Sequence, residues 1–318
     1  MLSTELLTTT QAAARIGVHE DTVRKYIADN ILPAQRTAGG HYRIRLSDLA
    51  IYLAEHGDTQ PVGPAVIAVV HHAGGVGKTT TALNLGYSLA AEGRRVLLVD
   101  LDPQGDLSER LGITPTSPSL ASILGGAAGF PARATCSWPG SEVRLDLIPG
   151  VLDEMAEVET RLMSLPLREQ RLARALAPFQ RDYDVILLDC PPSLSPLTTN
   201  ALWAAGSVII PMQAQDKALR QLPKILGSIN EVQAYRDGPP ALLGILLTMT
   251  ARSENMTREV EEALRTGYGD AVFNTTIPRR TRLAEDARYT APAALYAPRD
   301  GAEAYSALAQ EVLTRARA

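Results

Sequence analysis

The sequence predicts an α/β chain in two parts: a mostly parallel sheet flanked by helices, and a smaller N-terminal unit of helices and a hairpin. Three observations carry that expectation. An apolar run at residues 66–70 passes into a glycine-rich segment at 71–80 and then an Ala- and Leu-rich stretch that stops at Gly93, the order strand, loop, helix. Further apolar runs at 95–100, 183–189, 207–211 and 242–249 are separated by stretches with helical spacing, as when helical crossovers lay strands parallel. Residues 6–57 instead hold short helical patterns and a Gly-Gly turn. Residues 58–64 follow with two prolines, a glycine and no apolar periodicity, which suits a linker. The expected divisions are residues 1–57, a linker at 58–64 and a larger domain at 65–318.

The chain has 318 residues, 45% apolar and 21% charged, an ordinary globular mix long enough for two cores. A formal net charge of −4 excludes attraction of nucleic acid by the field of the whole molecule, so such contacts need local patches. Two cysteines, Cys136 and Cys190, are too few for a disulfide framework and suit a reducing compartment. No basic-then-apolar leader opens the sequence and no apolar run is long enough to span a bilayer, so the expected location is the cytoplasm.

The segment His71-His72-Ala73-Gly74-Gly75-Val76-Gly77-Lys78-Thr79-Thr80 carries the chemistry. Glycines let successive N–H groups turn toward one anion, and the helix that begins there adds its positive dipole end. Lys78 can reach the β- and γ-phosphates, and the Thr79 hydroxyl can ligate Mg²⁺. This is a P-loop NTPase pattern, although His72 replaces the first glycine of the usual G-x-x-x-x-G-K-S/T. The run Gly74-Gly75-Val76-Gly77-Lys78-Thr79-Thr80 resembles the deviant Walker A loop of the ParA-type ATPases, which segregate plasmids and chromosomes and usually read K-G-G-V-G-K-T-T. Ala73 stands where that family carries its first, signature lysine.

The remaining segments of the larger domain are taken in order. Residues 95–100 read as a buried strand ending in Asp100, and Leu101-Asp102-Pro103-Gln104-Gly105 as a turn at the carboxyl end, where open α/β sheets place ligands. This resembles the family's D-x-D-P-Q-G, which implies that Asp102 positions or polarises the attacking water and that Asp100 lies near the Mg²⁺ waters. Residues 107–126 read as short helices broken by Pro115 and Pro118, 127–140 as a loop-like insertion, 143–149 as a strand, and 153–178 as a helical stretch interrupted near Pro166. Residues 183–189 form a Walker B pattern whose Asp189 can hold a Mg²⁺-bound water. Cys190-Pro191-Pro192-Ser193-Leu194 then matches the family's D-x-P-P-x-L together with Asp189. Cys190 has no basic partner nearby in sequence and reads as a packed, inert thiol. Gln213-Ala214-Gln215 resembles the nucleotide-adjacent loop. Thr275-Thr276-Ile277-Pro278-Arg279 matches T-x-I-P-R, which implies Pro278 and Arg279 against the adenine. Leu283-Ala284-Glu285 matches L-x-E, whereas Tyr289-Thr290-Ala291-Pro292 departs from the family's glycine-containing turn.

In the N-terminal unit, Thr8-Thr9-Thr10 can cap a helix through Ile16. A second helix from His19 to about Asp29 carries Val23, Tyr26 and Ile27 at i, i+3, i+4. Residues 36–45 alternate around Gly39-Gly40 like a hairpin, and Ser47 can cap a last helix at 48–55. The unit resembles the winged helix-turn-helix of MerR and excisionase proteins. That resemblance implies DNA contacts from Thr22, Arg24, Lys25 and Tyr26 in the groove and from Arg36, His41, Tyr42, Arg43 and Arg45 on the wing. Residues 1–60 nevertheless carry six Lys/Arg against seven Asp/Glu, with Glu20 and Asp21 at the start of the recognition helix. That balance leaves a protein-docking or dimerisation role open beside DNA binding.

Taken together, the resemblance implies an ATP- and Mg²⁺-dependent partition ATPase. It would form a homodimer on ATP, bind DNA non-specifically through segments holding Arg252, Arg280 and Arg282, and associate with the nucleoid. A ParB-type centromere-binding protein would stimulate hydrolysis, and the N-terminal unit would bind operator DNA. Two alternatives stand beside it: a transcriptional regulator with nucleotide as ligand, and a MinD-like positioning ATPase, which would need a basic C-terminal helix with bulky apolar anchors.

Overall fold

A computed structural model of the chain describes residues 6–16, 20–29, 31–37, 39–56, 65–114, 116–236, 238–251, 255–279, 291–296 and 302–316. The linker at 58–64, residues 17–19 between the first two helices, Arg252, Arg280, Arg282, residues 283–285 and Tyr289-Thr290 lie outside them. Residues 1–63 and 64–318 form two separate compact units.

The first unit begins with a short strand β1 (Leu6–Leu7), then α1 (Thr9–Ile16), α2 (Glu20–Ala28), β2 (Gln35–Arg36), β3 (Tyr42–Arg45) and α3 (Leu46–His56). β2 and β3 are antiparallel across the Gly-Gly turn, and β1 adds to the other side of β3, with Leu7 opposite Ile44. The helical spacing of Val23 and Tyr26 works as expected: both are buried against Leu7, Leu32, Ile44, Leu49 and Tyr52. The β1 strand was not anticipated, because two leucines have no period to read. The last helix starts at Leu46, so Ser47 lies inside it rather than capping it.

The second unit is a seven-stranded sheet. Its strands are β4 (Ala65–Val69), β5 (Val96–Asp100), β6 (Ala134–Ser137), β7 (Arg144–Ile148), β8 (Val185–Asp189), β9 (Ser207–Gln213) and β10 (Ala241–Thr248), in the order β10-β9-β4-β8-β5-β7-β6. All pairs are parallel except β6 with β7. The parallel strands are buried on both sides, and their residues alternate between two cores. Leu97, Val99, Ile186, Leu188, Val208 and Ile210 face one side. Val96, Leu98, Val185, Leu187 and Ile209 face the other, with Tyr305 and Leu308. The helices are α4 (Lys78–Ala91), α5 (Asp106–Arg110), α6 (Leu120–Leu124), α7 (Leu152–Leu162), α8 (Arg171–Leu176), α9 (Pro196–Ala204), α10 (Asp216–Arg236), α11 (Asn255–Tyr268), α12 (Ala293–Tyr296) and α13 (Glu303–Arg315).

Residues 127–140 are not wholly loop-like, because β6 pairs along the edge with β7, Cys136 opposite Leu145. Thr135 donates to Asp146 across that pair at 2.6 Å, and Cys136 is buried.

Candidate nucleotide and DNA sites

Chain order β4, α4, β5 skips one position in the sheet, since β8 lies between β4 and β5. Ligands of open α/β sheets bind at the carboxyl ends of strands beside such a switch. Five strand ends meet there: the loop after β4, the acid turn after β5, Asp189 at the end of β8, Gln213 at the end of β9, and Thr248 at the end of β10.

The loop is built to expose N–H groups. Gly77 precedes α4 at φ +92° and Gly75 lies at +72°, a region that costs glycine nothing. The Gln213 amide donates to the Gly75 carbonyl at 2.7 Å, and the Thr248 hydroxyl to the Val76 carbonyl at 2.9 Å. Those carbonyls are thus drawn backward, and the N–H groups of the same peptide planes, on Val76 and Gly77, point the other way. No side chain caps α4 and no acid occupies its first turn, so its positive end is left for an anion. Gly74 is exposed and Thr79 and Thr80 are half-buried at this end.

Lys78 is buried and donates to the Ala73 carbonyl at 3.1 Å. Burial lowers its pKa, while Asp189 and Asp102 oppose that shift. His71 is fully buried. Its Nδ1 accepts from the Ala73 N–H at 2.9 Å and its Nε2 has no partner among the described residues. Burial first, then the Lys78 charge, bring its pKa down to about 4, so the ring is neutral.

The acids differ in what their oxygens already do. Asp100 is fully buried. Its Oδ1 accepts from the Asp102 N–H at 3.2 Å, and its Oδ2 from the N–H and hydroxyl of Ser108 at 2.9 and 2.6 Å. Desolvation raises its pKa to about 6 despite those bonds. Asp102 accepts from the Gln104 N–H at 3.0 Å, and burial raises its pKa as well. Asp189 is fully buried, and neither carboxylate oxygen has a hydrogen-bond partner among the described residues. The Thr79 hydroxyl eases its charge without reaching full bonding geometry. Burial, then Asp100 on the neighbouring strand, push its pKa well up. A buried carboxylate without donors is costly unless a cation or a protonated ligand meets it. The residues present therefore fit Mg²⁺ beside a phosphate, with Thr79 and Asp189 as the oxygens free to meet it. Among the described residues no three His, Cys, Asp or Glu side chains converge as a metal cage.

Pro278 and Arg279 run beside the end of β10: Pro278 bridges to Thr250, and the Arg279 N–H donates to the Thr250 carbonyl at 2.9 Å. That puts both at the same edge of the sheet as Gln213, which also approaches Met249. Cys190 is fully buried, with its thiol pKa pushed well up by burial.

In the first unit, Glu20 is a strut. It accepts from the hydroxyls of Thr9 and Thr10 at 2.7 and 3.0 Å and pairs with Arg24 at 2.7 Å. The Thr9 bond is the largest cause of its lowered pKa. Glu20 therefore ties α1 to α2 and fixes Arg24, a role the sequence did not reveal because Thr9 and Glu20 are eleven residues apart. Arg24, His41, Tyr42 and Arg43 line one cleft between α2 and the β2–β3 hairpin. Lys25, Arg36 and Arg45 are exposed and Thr22 is half-buried. Arg36 lies 5.9 Å over the Tyr42 ring.

Comparison with known proteins agrees on both units. Residues 64–238 match the AAA domain family, and residues 6–57 match a helix-turn-helix domain family. The chain is 41% identical over 252 residues to the sporulation initiation inhibitor protein Soj of Bacillus subtilis, covering 78% of this chain and 97% of that one. It is 39% identical over 258 residues to the chromosome partitioning protein ParA of Caulobacter vibrioides, covering 79% and 95%. Among solved structures, a cobyrinic acid a,c-diamide synthase of Mycobacterium smegmatis with bound ADP and magnesium superposes with a TM-score of 0.68 at 35% identity, covering 80% of this chain and 96% of that one. The septum site-determining protein MinD of Pyrococcus horikoshii with Mg-ADP gives 0.62 at 25% identity, covering 80% and 99%.

Proposed function

This chain belongs to the ParA/Soj family of P-loop partition ATPases, with a helix-turn-helix unit ahead of the ATPase, and we propose that it segregates DNA by an ATP-driven cycle. On this reading ATP closes two copies into a dimer, the dimer binds DNA without sequence preference, and a ParB-type partner stimulates hydrolysis. The N-terminal unit binds operator DNA through Arg24 and Lys25 on its second helix and Arg43 and Arg45 on its wing. The protein works in the cytoplasm on the nucleoid. The partition names of its relatives support the cycle. The observation that carries the nucleotide site is Asp189, a buried carboxylate whose two oxygens have no hydrogen-bond partner among the described residues, next to the loop of Lys78 and Thr79.

The chain's own groups divide the work. Backbone N–H groups from Gly74 to Thr80 hold the phosphates, and Lys78 leaves the Ala73 carbonyl to place its charge among them. Thr79 and Asp189 would hold Mg²⁺, which would supply neutralisation of charge on the phosphate oxygens. Asp102, its Oδ1 fixed by Gln104, orients the attacking water. Asp100 acts through Asp102 and Ser108, since both its oxygens are engaged. Gln213, Pro278 and Arg279 line the nucleoside side. Ala73 offers no cation to a partner's nucleotide, so basal turnover is slow. A membrane-positioning role finds no support in α13, which buries Tyr305, Leu308, Ala309 and Val312 against the sheet. The test is ATP turnover alone, with random DNA, and with DNA plus the ParB-type partner. The reading requires the last to be fastest, and equal rates in all three would remove partition as the function.

A further inference from the structure

Met249 sits at the end of β10 in a conformation that most side chains avoid. Among the described residues it is one of two, glycines aside, with φ in the left-handed region, at +53°. A side chain costs free energy there, and such a residue persists where its surroundings over-determine the backbone. Both neighbours do so here. Thr248 is buried with its hydroxyl on the Val76 carbonyl. Thr250 is buried with its N–H and hydroxyl on the Ile277 carbonyl, at 3.1 and 3.3 Å. The chain therefore turns at Met249, between the phosphate loop and the segment of Pro278 and Arg279.

The turn alone does not call for methionine, since glycine takes the same φ at no steric cost. What the position holds instead is a long apolar side chain that belongs to neither core of the sheet and is 39% exposed. Its sulfur lies 3.2 Å from Nε2 of Gln213, which donates to it. The same nitrogen donates to the Gly75 carbonyl at 2.7 Å. The thioether thus lies across the carboxyl ends of β9 and β10, one amide away from the phosphate loop.

We propose that Met249 contacts the nucleobase, its thioether packing on the adenine ring while Gln213 holds the sulfur in place. A polarisable sulfur is attracted to an aromatic ring. Covering a half-exposed apolar side chain with the base also removes surface of both from water. Neither effect involves the phosphates, so Met249 serves ADP and ATP alike. Gln213 links the two ends of the site, with the base side on its sulfur contact and the phosphate side on Gly75.

This inference rests on the nucleotide site proposed above, and the test separates the two. ADP and ATP affinities are measured by titration with Mg²⁺ for the full chain and for Met249→Ala, Met249→Gly, Met249→Leu and Lys78→Ala. The alanine and glycine variants should bind both nucleotides about tenfold more weakly. Met249→Leu keeps the apolar bulk and should recover most of the loss. Melting without nucleotide verifies folding, and Met249→Gly should melt above Met249→Ala, because alanine keeps the left-handed strain and glycine does not. The opposite order would remove the strain from which the role is inferred. Contact is read directly in the full chain labelled with methyl-¹³C methionine, which carries six methionines. The resonance missing from Met249→Leu should shift upfield when Mg-ADP is added, as a methyl group over an aromatic ring does. An unmoved resonance, or affinities within twofold of the parent in folded Met249→Ala while Lys78→Ala abolishes binding, would overturn the role of Met249 alone. Binding that survives Lys78→Ala would overturn the site itself.

Discussion

At the residue scale the site stores an unfavourable charge for later use. Asp189→Asn removes a carboxylate that burial and Asp100 destabilise, so the variant without nucleotide should melt a few degrees higher at neutral pH. The same change should erase the stabilisation by Mg²⁺-ATP, and thermal shifts with and without the nucleotide read both effects. A variant that is less stable in both states would mean that Asp189 has a structural partner instead. His71 gives a pH prediction. Its folded pKa of about 4 lies below the ordinary 6.5, so the unfolded chain binds more protons between those values. Its contribution is intact above about pH 6.5 and is lost as pH falls toward 4. Asp100, raised to about 6, works the opposite way, since its folded form holds a proton the unfolded chain has released. The clean measurement is therefore a difference: His71→Asn, which keeps an acceptor for the Ala73 N–H, should lose less stability than the parent between pH 6.5 and 4. Parallel acid limbs would contradict it. Lys78, Thr79 and Asp189 were legible in the sequence because glycines, a lysine and a strand-end acid fall at fixed offsets. The commitment of both Asp100 oxygens and the Glu20 strut were not, because each depends on a partner that only the fold brings near.

At the element scale, the apolar runs announced the parallel strands because strands covered on both faces need few polar residues. β6 escaped notice because its four residues include Thr135 and Ser137 and sit among prolines and glycines. Pairing with β7, rather than its own pattern, makes it a strand. Gly244 shows a second limit of pattern reading. It lies where the β9–β10 register shifts, and a Cβ there would land on the ring of Phe273, itself fully buried and stacked 4.2 Å from the Arg315 guanidinium. Gly244→Ala should cost about 1–3 kcal/mol in denaturant unfolding, from overpacking. An unchanged midpoint would show that the ring moves freely. The wing makes a separable prediction. Arg43→Ala with Arg45→Ala should remove sequence-specific binding by the N-terminal unit while leaving ATP-dependent binding to random DNA, each measured by anisotropy over a salt series. Loss of both in a folded protein would indicate one shared surface.

At the scale of the whole molecule, the sequence showed two units of different kinds, and the matches at residues 6–57 and 64–238 agree with it. A net charge of −4 means that DNA binding cannot come from the overall field and must be assembled on local surface. In this account ATP does the assembling, by joining two copies of the second unit so that their basic segments act together. Each phosphate contact is then counted twice, and the salt slope of binding should steepen accordingly. The most direct measurement is binding of random-sequence DNA by the Arg43→Ala, Arg45→Ala chain, so that the wing is silent, in the presence of ADP, ATP with Mg²⁺, or a non-hydrolysable ATP analogue with Mg²⁺. The account predicts weak binding with ADP, intermediate binding with ATP, and tight, steeply salt-dependent binding with the analogue. The same DNA affinity in all three states would contradict it.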